Sequence, residues 1–174
     1  MSVFLLWICS LGLQAGEKNC FDNGWLFFLG NDAQMSSEGF QDANWRKLDL
    51  PHDWAIEGDF SDSNPSGAGG GALPGGIGWY RKHFTVSDLP GQGKAAHYYI
   101  DFDGVYMNST VYLNGHELGN RPYGYSSFRY ELTPYLNKTG ENVLAVKVDN
   151  SDQPNSRWYS GCGIYRHVWV VGTS

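Results

Sequence analysis

Short alternations of apolar and polar residues, each closed by a turn signal and recurring about every ten residues, constrain this chain more than any other feature. Trp79-Tyr-Arg-Lys-His-Phe-Thr-Val86 sets Tyr80, Phe84 and Val86 at even spacing, as in a strand with one buried face. Ser109-Thr-Val-Tyr-Leu113 is β-branched and aromatic and runs into Asn114-Gly115, the strongest short hairpin signal present. Residues 25–29, 97–102, 128–132, 142–148 and 168–171 read as further strands. The run 47–50 stops at Pro51, as an edge strand does. Asp103-Gly104 predicts a hairpin or tight turn, and Thr133 a cap for a short helical turn with Pro134 at its first position. No long helical period interrupts the series. The pattern predicts an all-β chain folded as a two-sheet antiparallel sandwich or barrel.

Composition narrows the function classes. The 174 residues suit one domain, and the charged fraction of 17% is low for one. A net charge of −6 argues against a nucleic-acid or anionic-membrane partner, because both require a basic face. Residues 1–13 form an apolar run too short to span a bilayer, followed by small residues at Ala15-Gly16. Residues 1–15 therefore read as a secretory signal peptide, residues 16–174 as the domain, and the expected location is secreted or periplasmic. Export would permit a disulfide, but Cys20 and Cys162 make no framework, and both are expected to be free.

Two stretches break the strand pattern and carry polar groups on short turns. Pro51-His-Asp-Trp54 predicts a rigid turn that projects His52, Asp53 and Trp54. Residues 57–78 lack periodicity, and 67–71 are nearly all glycine, which predicts a lid or a domain-contact loop. The stretch 155–168 joins hydrogen-bonding groups (Asn155, Arg157) to aromatic ones (Trp158, Tyr159, Tyr165). Gly161 and Gly163 between them permit positive φ or a close approach. Such a loop, fed into the strand 168–171, reads either as a tight corner or as a ligand site. Trp25, Trp45, Trp79 and Trp169 are assigned to the core.

The order Pro51-His-Asp-Trp54, Gly78-Trp-Tyr-Arg81, Phe102-Asp-Gly-Val105, Val111-Tyr-Leu-Asn-Gly-His116, Gly140-Glu-Asn-Val-Leu-Ala-Val146 and Ser160-Gly-Cys-Gly-Ile-Tyr-Arg166 resembles the N-terminal sugar-binding domain of glycoside hydrolase family 2. The likeness is strongest to exported bacterial β-galactosidases and covers about residues 21–174. It implies a jelly-roll β-sandwich that precedes an immunoglobulin-like domain and a catalytic barrel, neither of which is in this sequence. It implies two partners: a β-galactoside or related glycan, and the barrel domain of a full-length enzyme. Carried over, Asp53 and Trp54 resemble a segment that approaches sugar hydroxyls, and Arg157, Trp158 and Tyr159 a second contact segment. His167 takes a position where family members carry an aspartate that contacts galactose.

Catalysis is expected elsewhere. Retaining glycoside hydrolysis needs two carboxyl groups about 5–5.5 Å apart. The aspartates here sit mostly at turn signals, where they bond their own backbone, and no spacing forces a pair. The five histidines show no metal-ligand spacing, so neither a metal nor a cofactor is expected. The resulting expectation is a non-catalytic domain that shapes the terminal-sugar subsite of a β-galactosidase-type hydrolase. A free-standing carbohydrate-binding module, or the same domain of a β-glucuronidase or β-mannosidase, is the alternative.

Overall fold

The computed structural model describes residues 16–174, and the signal-peptide expectation for 1–15 lies outside them. Ten strands form two antiparallel sheets: β1 (Glu17–Cys20), β2 (Trp25–Leu29), β3 (Arg46–Leu48), β4 (Gly76–Phe84), β5 (His97–Phe102), β6 (Ser109–Leu113), β7 (His116–Arg121), β8 (Phe128–Glu131), β9 (Asn142–Asn150) and β10 (Val168–Thr173). One sheet runs β1-β10-β5-β8 and the other β3-β2-β4-β9-β6-β7. This is the all-β jelly-roll sandwich expected of the sequence, and the described residues contain no α-helix.

Period-two alternation builds the core between the sheets. Tyr98, Ile100, Phe102, Val168 and Val170 face inward from one sheet, and Trp25, Phe27, Tyr80, Val111, Leu144, Val146 and Val148 from the other. The six-stranded sheet is also covered on its outer face. There Trp79 and Ala145 pack against Met35 and Trp45 of the segment 31–45, which folds back over the sheet. Two covered faces explain why 143–146 is continuously apolar rather than alternating.

The wrapped segment is held by a buried cation. Arg81 is fully buried on the outer side of β4, where its Nε donates to Asp42 at 2.5 Å. Its Nη1 donates to the carbonyls of Met35 at 2.6 Å and Ser37 at 2.9 Å. His83, two residues along and on the same face, bridges Asp42 at 2.8 Å and Glu141 at 2.9 Å.

Asn114 and Gly115 take positive φ (51° and 81°) and close the β6–β7 hairpin as the Asn-Gly pair predicts. Several expectations need correction. Trp169 lies half-buried on the outer face of the four-stranded sheet, under the Lys18 ammonium at 4.4 Å, rather than in the core. Its neighbours Val168 and Val170 take the inward positions, so the pleat sends it out. Asp103-Gly104 makes no hairpin, because β5 pairs with β10 and β8 while the chain crosses to the other sheet. Thr133 is not the cap of its 3-10 turn; its hydroxyl instead accepts from Tyr98 N at 2.8 Å. The first strand, Glu17–Cys20, has no apolar alternation and forms by adding to the edge of β10.

Candidate functional site

The antiparallel registers bring the β3–β4, β5–β6, β7–β8 and β9–β10 connections to one end of the sandwich. Across that end the segment 50–54 runs beside 162–168. His52 N donates to Ile164 O at 2.9 Å and Trp54 N to Cys162 O at 3.0 Å. This extended pairing alternates side chains as a strand does. His52 and Trp54 therefore turn inward, and only Asp53 faces outward, where a turn projecting all three was expected.

Trp54 is only 3% exposed, stacked on Phe27 at 5.8 Å, with Nε1 donating to Gly75 O at 3.1 Å. It supports the site from within and leaves no ring face for a sugar. His52 is buried between Arg46 and Tyr80. Arg46 has only protons to give, so its Nη2 donates to His52 Nε2 at 2.9 Å and Nδ1 carries the proton towards Tyr80 Oη at 2.7 Å. Burial pushes His52 below the ordinary histidine range; Glu57, 3.4 Å from the same Nε2, pulls the other way but is outweighed. The neutral ring implied by both observations is a structural strut rather than an acid or base.

Asp53 is a staple. Its Oδ1 accepts from Ala55 N at 3.0 Å and from Cys162 N at 2.9 Å, and its Oδ2 accepts from the Tyr159 hydroxyl. These bonds tie the 50–55 segment to the 155–163 loop across more than a hundred residues of sequence. Partial burial and then the Asp53 carboxylate push the Tyr159 phenol far up, so it stays protonated. Burial likewise pushes the Cys162 thiol up to about 12, against the hydrogen bond from Asn150, which makes it an inert packing group. Cys20 donates its thiol proton to Asp22 at 3.2 Å, and neither cysteine is in a disulfide.

The glycines flagged in the sequence make the corner possible. Gly163 sits at φ 127°, and a Cβ there would lie 2.3 Å from Tyr80 Oη and 2.7 Å from His52 O. The loop before it hangs on Asn150, 2% exposed, whose Nδ2 donates to Gly161 O at 3.2 Å and whose Oδ1 accepts from Asn155 at 2.7 Å. Asn155 is thus part of the loop's frame.

Arg157 is exposed and pairs with no carboxylate among the described residues. Its backbone lies against Gly69, and Tyr159 lies against Gly71, so the glycine-rich stretch, a 3-10 turn at Ala68–Gly70, backs this loop. Trp158 is 63% exposed, with Nε1 donating to Tyr125 Oη at 3.3 Å. Asp53, Arg157, Trp158 and Tyr159 therefore come together at one end. His167 does not join them: its Nδ1 bonds Asp22 at 2.7 Å, its ring lies 5.7 Å from Trp169, and it shares no partner with Asp53. It lies one residue before β10, where Asp22 holds both its ring and the Val168 N–H, the latter at 2.8 Å.

Sequence reading missed Tyr106, Tyr123, Tyr125 and Ser160, which also shape this end. The Tyr-Gly-Tyr repeat at 123–125 was the available signal. No cluster of three or more His, Cys, Asp or Glu side chains among the described residues could hold a metal, and no helix there is long and apolar enough to cross a membrane.

Comparison with known proteins adds to this geometry. Residues 78–161 match the family model described as glycosyl hydrolase 2 galactose-binding domain-like. A β-galactosidase of Bacteroides ovatus is 64% identical over 157 residues, which is 90% of this chain and 18% of that protein. A β-glucuronidase of Formosa agariphila is 32% identical over 163 residues, 86% of this chain and 16% of its own length. The crystal structure of a β-glycosidase from Bacteroides vulgatus superimposes with a TM-score of 0.84 at 49% identity, covering 90% of this chain and 20% of that one. The chain thus spans about a fifth of the length of the relatives it matches.

Proposed function

Because this chain belongs to the galactose-binding-like domains of glycosyl hydrolase family 2, we propose that it is the non-catalytic N-terminal domain of a β-galactosidase-type retaining hydrolase. In this reading the loops at the Asp53 end reach over the mouth of a catalytic barrel and close the subsite for the terminal sugar. The observation that carries it is the meeting of Asp53 with the exposed Arg157–Trp158–Tyr159 loop. That arrangement offers a guanidinium for hydroxyls and an indole face for the apolar side of a pyranose. In this reading the catalytic pair belongs to the barrel, and Asp53 has a holding role: its two oxygens are already engaged by two backbone N–H groups and Tyr159.

A second reading has its own support. Arg157 is an unpaired cation among the described residues, and a uronic-acid carboxylate would match it bidentately. The β-glucuronidases among the relatives make that substrate class the alternative.

Both readings meet one experiment. In the full-length enzyme, Arg157→Ala should lower kcat/KM on a nitrophenyl glycoside about tenfold or more, the worth of one charge-assisted hydrogen bond. Nitrophenyl β-galactoside and β-glucuronide run in parallel identify the sugar. Unchanged kinetics on both would mean that the domain only props up the barrel. Export to the periplasm or medium is part of the proposal, resting on the apolar run at residues 1–13; a mature enzyme found in the cytoplasm on fractionation would refute it.

A further inference from the structure

Asn23-Gly24 and Asn114-Gly115 are the same dipeptide, and the fold treats them in opposite ways. An asparagine before glycine is open to attack on its side-chain amide by the next backbone nitrogen, because glycine has no Cβ to block the approach. Asn114 is locked against that attack. Its Nδ2 donates to Tyr135 O and to Asn142 Oδ1, each at 2.8 Å, and its Oδ1 accepts from Val143 N at 2.8 Å. The whole amide is engaged in tying the β6–β7 hairpin to its neighbours.

Asn23, in the turn between β1 and β2, is exposed, and its side-chain amide has no hydrogen-bond partner among the described residues. Its peptide bond to Gly24 is held instead, by opposite charges at its two ends. The Asn23 carbonyl accepts from the Lys82 ammonium, and the Gly24 N–H donates to Asp49 Oδ1 at 2.7 Å. Lys82 belongs to β4, where its ammonium lies 4.4 Å from the Phe21 ring, and Asp49 follows β3. The tertiary fold, rather than the dipeptide, thus polarises this one peptide unit. A cation at the oxygen stabilises the negative charge that develops as the nitrogen loses its proton, and a carboxylate at the N–H can receive that proton.

We propose that Asn23-Gly24 is a self-modification site, at which Asn23 converts to aspartate and isoaspartate in the folded chain with Asp49 and Lys82 promoting the step. Gly24 N bonds to Asn23 Cγ as its proton passes to Asp49. The Cγ–Nδ2 bond breaks, and the amide nitrogen leaves as ammonia with that proton. Water then cleaves one of the two C–N bonds of the cyclic imide. Cleavage at Cγ leaves aspartate; cleavage at the main-chain carbon leaves isoaspartate, whose backbone is longer by one CH₂. The extra carbon falls beside Asp22, which holds Val168 N, His167 and, through its carbonyl, Leu50 N at 3.0 Å. Conversion therefore loosens the anchor of β10 as the protein ages.

Peptide mass spectrometry of the purified chain, incubated at neutral pH in buffer and in urea, follows both pairs. In buffer Asn23 should convert at least as fast as in urea. Asn114 should convert about tenfold or more slower in buffer than in urea, because its hydrogen bonds must first break. Asp49→Asn keeps an acceptor but removes the charge, and should slow Asn23 in buffer about tenfold, the scale of one hydrogen bond to a charged group, without changing its rate in urea. Lys82→Gln, at the other end of the peptide unit, should act likewise and serves if Asp49→Asn does not fold. Slower conversion of Asn23 in buffer than in urea overturns the proposal, as does a rate in buffer that these substitutions leave unchanged or raise. An Asn114 that keeps pace with Asn23 in buffer also overturns it, since the fold would then make no difference.

Discussion

Replacing Asp53 by alanine should cost the fold more than any single sugar contact explains. The carboxylate satisfies the backbone N–H groups of Ala55 and Cys162, residues only 1% and 3% exposed. A buried donor left without a partner costs about 1–3 kcal/mol, so two cost about 2–6 kcal/mol. Tyr159 also loses its acceptor, but it is 41% exposed and its hydroxyl can turn to water. Water entering from the open side of Asp53 relieves part of the penalty, which places the expectation at about 2–3 kcal/mol. For a domain of this size that lowers Tm by about 4–12 °C. Urea and thermal unfolding of the purified chain measure it, and hydrogen exchange at the Cys162 amide locates it. Asp53→Asn keeps one acceptor oxygen and should recover about half of the loss. A loss below about 0.5 kcal/mol, the range of an ordinary surface substitution, would refute the staple and return Asp53 to a purely ligand-facing role.

The buried guanidinium offers a second test: Arg81→Met should destabilise the chain by about 3–5 kcal/mol, because it strands Asp42 and the carbonyls of the wrapped segment. Adding Asp42→Asn should restore part of that stability, and simple additivity of the two losses in unfolding experiments would dismiss the coupling. His83 predicts a pH dependence. Burial alone would lower it, but the hydrogen bonds to Asp42 and Glu141, with their charges, outweigh burial and raise it above the ordinary histidine value. Its stabilising contribution is then complete below about pH 6.5 and fades as pH rises through the raised folded value. The stability gap between wild type and His83→Gln should therefore be wider at about pH 5.5 than at about pH 9; a constant gap would show that the bridge carries no charge-dependent stability.

The wrapped segment and the staple differ from the strands in how far local sequence could announce them. Period-two patterns and Asn114-Gly115 determined the strands and their hairpin, because pleat and turn chemistry act within a few residues. Gly163 was legible as a glycine that something must approach, but not that Tyr80 Oη and His52 O would do the approaching. Whether His52, Asp53 or Trp54 faces out depended on pairing with residues 162–164, more than a hundred positions away, and a one-residue shift would have reversed all three. The pleat likewise sent Trp169 to the surface, and the bond to Asp22 holds His167 apart from the loop that its sequence neighbours build. Chain-local forces thus chose the elements and the kind of fold. Only the packing of two sheets, which sets register and so the face each side chain takes, decided which polar groups frame the site and which remain free to meet a ligand.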